Sequence, residues 1–232
     1  MYDWRKMNVE DRAHALEVRR ARQLPRHSPP HLDLEGTHQY LVSAACYEHS
    51  SIIGKNLDRM TECEEALLQI CRDYCPSTHA WCVLPNHYHL LVTTDQIKAL
   101  RQSLGQFHGR SSHAWNGEAS ARGRKVWYNC FERPMKSKRH FWATLNYVHH
   151  NPVHHGYMET WQDWPWSSAS EFLRDVGRVR ALEIWKNYPV MDYSKKWDTC
   201  EPPSPGLKLS VRTLTIQRLN SKHFLESSWQ QK

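Results

Sequence analysis

Apolar and polar positions along this chain follow two periods, and the switches between them mark its elements. His38–Tyr47 (HQYLVSAACY) is an apolar run of strand length. Apolar residues at 57, 60, 63, 67, 71 and 74 recur at gaps of three and four, which predicts a helix over Leu57–Tyr74 ended by Pro76. Thr78–Leu84 and His87–Val92 read as two strands joined at Pro85–Asn86, a pair with turn chemistry. Asp95 is placed to cap a second helix, Gln96–Phe107. Gly105–Arg124, rich in Gly, Ser and Arg, reads as a loop, and Val126–Phe131 (VWYNCF) as a fourth strand. The order β-α-β-β-α-β predicts an α+β, ferredoxin-like fold: a four-stranded antiparallel sheet with helices on one face.

Beyond that unit, Ser137–Asn151 (SKRHFWATLNYVHHN) carries Phe141, Leu145 and Val148 at i, i+4 and i+7, an amphipathic helix with Pro152 as its stop. Its other face carries Tyr147, His150 and Asn151. A short helix is expected over Ser168–Val176, and Trp161, Trp164 and Trp166 are better suited to core packing than to base stacking. The pattern divides the chain into a basic N-terminal extension (1–35), a central domain (36–166) and a C-terminal extension (167–232). The first contains a helical stretch, Asn8–Arg22, and an arm with Arg19, Arg20, Arg22 and Arg26, followed by Pro-rich sequence. From Cys200 onward the sequence is polar and opens with CEPPSPG, which suits a flexible or lightly docked tail.

Composition narrows the setting. Mean hydropathy is −0.76, and no apolar run approaches the about 20 residues that a membrane helix needs. The start, MYDWRKMNVEDR, has no apolar signal core, and the seven cysteines are scattered and odd in number. A cytoplasmic protein with reduced thiols is expected. Net charge is +7. Between Arg101 and His140 lie nine basic residues: Arg101, Arg110, Arg122, Arg124, Lys125, Arg133, Lys136, Lys138 and Arg139. Only Glu118 and Glu132 oppose them, so this stretch equals the whole excess. Such asymmetry suits a polyanion, most simply nucleic acid, although a solvated basic loop has the same composition.

Candidate chemistry concentrates in WCVLPNHYHLLVTT (Trp81–Thr94). In a strand His87 and His89 share one face and Tyr88 takes the other. Two neutral imidazoles on a rigid strand form half of a divalent-metal site. Alone, in a chain with 16 histidines, the pair is equally a polar strand face. A metal held there with a third, oxygen ligand would keep positions open for a phosphodiester, and Tyr147 could attack phosphorus as its phenolate. Tyr ionises at about 10 in water and needs a nearby cation to act this way. A second cluster, His149, His150, His154 and His155, offers an alternative third ligand.

The succession LPNHYHLLV, basic stretch, YVHHNPVHHG resembles the single-tyrosine HUH transposases. These are the small transposases of single-strand insertion sequences and their REP-associated relatives, to which the longer chain is the more similar. The resemblance runs from about His38 to Trp166. It implies a ferredoxin-like domain in which His87 and His89 bind a divalent metal, Mg²⁺ or Mn²⁺. Asn151 would complete that site, with His150 as the less favoured alternative, and Tyr147 would be the nucleophile. It implies an endonuclease and strand transferase that cuts single-stranded DNA, keeps a 5′-phosphotyrosine and releases a 3′-OH. Partners would be single-stranded or hairpin DNA, held through phosphates by the basic stretch, with the protein a monomer or homodimer. The alternative is a catalytically quiet relative that only binds hairpin DNA or RNA.

Overall fold

The computed structural model describes residues 7–21, 31 and 34–190. Its elements are α1 (Val9–Ala21), β1 (His38–Ala45), α2 (Leu57–Tyr74), β2 (Ser77–Val83), β3 (His87–Thr94), α3 (Ile97–Glu118), β4 (Phe131–Pro134), α4 (Lys138–His154), α5 (Ala169–Val176) and α6 (Arg178–Asn187). The four strands form one sheet in the order β2-β3-β1-β4, and every pairing is antiparallel. This is the expected ferredoxin-like α+β arrangement. Residues Arg22 and Arg26 of the arm, and the tail from Cys200, lie outside the described residues. No helix among the described residues is long and apolar enough to cross a membrane.

Alternation along β3 gives the sheet two distinct faces. Tyr88 turns toward α3, where its hydroxyl meets His108 Nε2 at 3.0 Å. His89 turns the other way, toward α4. Thus α4, which lies beyond the ferredoxin-like unit, covers the face opposite α3. Helix α2 starts on Asn56, whose Oδ1 accepts from Arg59 N at 2.8 Å, and buries Met60, Cys63, Leu67 and Cys71. The C-terminal segment closes the β2 edge: Ser167 bridges Cys82, and Trp164 Nε1 donates to Val83 O at 2.8 Å. Trp164 and Trp166 are core residues, and Trp161 lies over His149.

Four local expectations are corrected. Gly105–Arg124 is not a loop as far as Glu118: α3 continues through Gly105, Gly109 and Gly117. Buried Leu100, Leu104, Phe107, Ser111 and Trp115 anchor that helix, and this packing outweighs about 1 kcal/mol of helix propensity lost at each glycine. The fourth strand is Phe131–Pro134, not Val126–Phe131. Val126 and Trp127 are buried, with Trp127 stacked on His108 at 4.3 Å beneath α3, and the strand pairing of this segment is one antiparallel bridge from Trp127 to Cys46. Asp95 does not cap α3; Thr94 Oγ1 accepts from Gln96 N at 2.9 Å. Finally, α4 passes through Pro152 to His154, because a proline in the last turn removes only one helical hydrogen bond.

Two glycines give opposite stability outcomes. A Cβ at Gly54 would lie 2.4 Å from Pro85 Cβ and 2.9 Å from its Cα, so Gly54→Ala pushes on the β2–β3 turn. Urea melts should show a loss of about 1–3 kcal/mol. A Cβ at Gly109 meets nothing within 4 Å, so Gly109→Ala should gain about 1 kcal/mol.

Burial holds the His108 imidazole down to about 4, from 6.5. Below pH 6.5 the unfolded chain takes up a proton that the folded chain refuses until about 4. His108 therefore favours the fold above pH 6.5, and its contribution falls by about 1.4 kcal/mol per pH unit between those values. His108→Gln should flatten that part of a stability-versus-pH curve; an unchanged slope would assign it to other groups.

Candidate active site

The register of the sheet and one turn of α4 build this site. His87 and His89, two apart on β3, share a face and lie with their rings 5.0 Å apart. On α4, Tyr147 and Asn151 are spaced i, i+4 and so project from one side. Tyr147 Oη lies 3.0 Å from His89 Nε2, and Asn151 Oδ1 lies 2.9 Å from His87 Nε2. All four side chains are nearly fully buried.

The opposite ring nitrogens are also held. Ser43, paired with His89 across β1 and β3, brings Oγ within 2.5 Å of His89 Nδ1. Asn86 Oδ1 lies 2.7 Å from His87 Nδ1, while its own Nδ2 donates to His49 O at 3.1 Å. That donation fixes which way the Asn86 amide faces. His87 therefore donates from Nδ1 and keeps a lone pair on Nε2. That lone pair faces the carbonyl oxygen of Asn151. Two imidazoles and an amide converging in this way form a donor set that suits a divalent cation. Among the described residues no group of three or more His, Cys, Asp and Glu gathers for a metal. A divalent ion here would take two imidazole nitrogens and one amide oxygen, leaving positions for phosphate oxygens.

The remaining candidates separate clearly. His150 packs on Trp185 of α6 at 5.0 Å, so the helix brings Asn151, not His150, to the pair. His155, which follows α4, lies 4.9 Å ring to ring from His87 and is the member of the second His cluster nearest this pair. Among the other tyrosines, Tyr88 faces α3, Tyr128 lies on Tyr47, and Tyr157 packs on Trp164. The sequence alone does not mark Ser43 or Asn86 as part of this site. Asn86 reads there as a turn residue, and only strand pairing reveals Ser43.

The nine basic residues do not form one patch. Arg101 is ion-paired with the buried carboxylate of Glu132, which His31 also contacts. Arg122 donates to His113 O and Arg124 to Asn116 Oδ1, both near the C-terminal end of α3. Lys125 lies over the Tyr47 and Tyr128 rings at 5.0 and 5.5 Å. Arg110 is exposed on α3. Arg133 pairs across from Leu41, whose partner Leu91 shares the His89 face. Lys136, Lys138 and Arg139 are exposed around the start of α4. Burial first, then Arg133 and Lys136, lowers the His140 pKa.

The sheet thus carries two histidines and, across from them, a helical tyrosine on one face. The family model described as IS200-like transposase matches residues 35–151, and the chain belongs to that family. A Haemophilus influenzae protein named as a REP-associated tyrosine transposase is 32% identical over 142 residues, 57% of this chain and 79% of the relative. A REP-associated tyrosine transposase of Escherichia coli is 30% identical over 131 residues, 56% of this chain and 73% of the relative. A solved structure of a REP-associated tyrosine transposase bound to a REP hairpin aligns with 79% of this chain and 97% of its own, with a TM-score of 0.49 and 19% identity.

Ser43→Ala removes the hydroxyl behind His89 and little else. Titration with Mn²⁺ followed by electron paramagnetic resonance should show about tenfold weaker binding than in the wild type. Equal affinity would mean that Ser43 does not tune the imidazole.

Proposed function

We propose that this chain is a metal-dependent transposase that cuts and rejoins single-stranded DNA through a 5′-phosphotyrosine at Tyr147. The observation that carries the reading is the paired contact of Tyr147 with His89 and of Asn151 with His87, one helical turn apart. His87, His89 and Asn151 would hold a Mg²⁺ or Mn²⁺ ion, which supplies charge neutralisation at the phosphate. The chain's own part is to place the phenol beside that position and to hold the imidazoles with Nε2 forward.

In the cutting step the Tyr147 oxygen bonds to phosphorus and loses its proton. The bond from phosphorus to the 3′ oxygen breaks, and that oxygen leaves as a 3′-OH. The downstream strand remains on Tyr147 by its 5′ phosphate. Rejoining is attack by a 3′-OH on the same phosphorus, so no high-energy cofactor is consumed. Tyr147 is 1% exposed, so a strand gains access through a local opening at α4. The substrate is single-stranded DNA beside a hairpin, consistent with the REP-associated names of two relatives and with the basic residues between Arg101 and Arg139, which would bind phosphates.

Single-stranded DNA labelled at its 3′ end, incubated with Mg²⁺ or Mn²⁺, tests the chemistry. The wild type should retain label on a denaturing protein gel, and Tyr147→Phe and His87→Ala should both lose it. Cleavage that persists in Tyr147→Phe would identify water as the nucleophile. Hairpin binding with no adduct in any protein would make this chain a binding protein.

A further inference from the structure

We infer that His150 and His154 form a metal site of their own, which takes a late first-row divalent cation of the Zn²⁺ class and clamps the last turn of α4. The pair shares no ligand with the candidate active site, and its binding does not depend on the chemistry proposed for Tyr147. The two histidines are spaced i, i+4 within α4, which makes them neighbours on the helix surface with Cβ atoms about 5–6 Å apart. Two imidazoles at this spacing on one helical face are a recurring zinc-chelating pair. Burial first, then the neighbouring His154, lowers the His150 pKa, so the two rings lie within electrostatic reach of each other.

Both rings are held in place by the fold. His150 packs on Trp185 of α6 with ring centres 5.0 Å apart. His154 meets His155 edge-on at 5.0 Å, and the His155 N–H donates to Asn151 O at 3.1 Å, which ties down the end of the helix. Side chains restrained in this way lose little further freedom when they bind. His154 is exposed and His150 half-buried, so an ion reaches the pair from solvent. The other polar side chains of this turn are engaged elsewhere: Asn151 faces His87, and His149 bonds Ser168.

Packing alone does not account for a histidine at 150. Its Nδ1 is buried and has no hydrogen-bond partner among the described residues, a cost that an apolar side chain against Trp185 would not carry. With Nδ1 turned inward, Nε2 is the nitrogen left to face outward, as a surface ligand must. Imidazole ligands suit Zn²⁺, Ni²⁺ and Cu²⁺, whereas Mg²⁺ favours oxygen. The pair therefore discriminates against Mg²⁺, and water fills the remaining positions around the ion. An ion joining residues 150 and 154 spans the turn that holds Asn151. It binds the closed turn and not an opened one, so it opposes local opening there.

Isothermal titration calorimetry with Zn²⁺ alone tests the site on the full chain carrying His87→Ala, which breaks the other histidine pair. That protein should retain a zinc-binding event that is lost when His154→Gln or His150→Gln is added. Hydrogen exchange followed by mass spectrometry reads the clamp. With Zn²⁺ at about ten times its dissociation constant, amides of residues 150–155 should exchange about tenfold more slowly in the wild type and at an unchanged rate in His154→Gln. His154 is exposed, so His154→Gln should melt with the wild type in the presence of a chelator, and it carries the test if His150→Gln disturbs the contact with Trp185. The inference is overturned if His154→Gln binds Zn²⁺ as its parent does, or if Mg²⁺ slows exchange as much as Zn²⁺ at the same concentration. Neither readout involves DNA, so failure to form a tyrosine adduct would count against the chemistry of Tyr147 and leave this result standing.

Discussion

The antiparallel register of β1 against β3 is the constraint on which the rest depends. It sets His89 opposite Ser43 and His87 opposite Ala45. A slip of one residue would turn both histidines toward α3 and bring Tyr88 to α4. The apolar residues of β3 prevent such a slip. Leu90 and Val92 are buried with Tyr88 on one face, and Leu91 is buried on the face of the histidines. The same contacts that stabilise the sheet thus assign polar chemistry to one side and the contact with α3 to the other.

Burial gives the histidine pair its character. Polar groups placed this deep cost about 1–3 kcal/mol each when they lack partners. Ser43 and Asn86 hold the rear nitrogens, while Tyr147 and Asn151 face the front ones. The rear contacts keep the rings from rotating and set the tautomer of His87. The front contacts come from one helix turn, so a shift of α4 changes both together. The structure thereby couples the proposed nucleophile to the third candidate ligand through one turn of α4.

The C-terminal segment belongs to the same mechanical unit. Trp164 and Trp166 are core residues whose indole nitrogens donate to Val83 O and Thr61 Oγ1, tying the segment to β2 and α2. His149, between the proposed nucleophile and the candidate ligand in sequence, bonds Ser168 at 2.9 Å. Asn146 donates to carbonyls of Ile184 and Tyr188. Helix α4 is therefore fastened on its outer side by residues beyond Trp166, which gives the extension a role in placing Tyr147.

Local periodicity alone determined much of this protein. The two-residue alternation of HYHLLV put both histidines on one side, the gaps of three and four defined α2, and Ser137 announced the start of α4. These features depend on neighbours in sequence, and the chain carries them openly. Tertiary packing decided the rest. Whether Gly105 and Gly109 lie in a loop or a helix depends on the buried anchors of α3. The strand-like Val126–Phe131 keeps a single bridge, Trp127 to Cys46, and yields to FERP because Trp127 is stacked beneath that helix while Phe131–Pro134 pairs along β1. The choice of Asn151 over His150 requires knowing which side of α4 meets β3. Ser43 and the two separate basic regions arise from strand pairing and from folding over α3, neither of which leaves a local signature in the sequence.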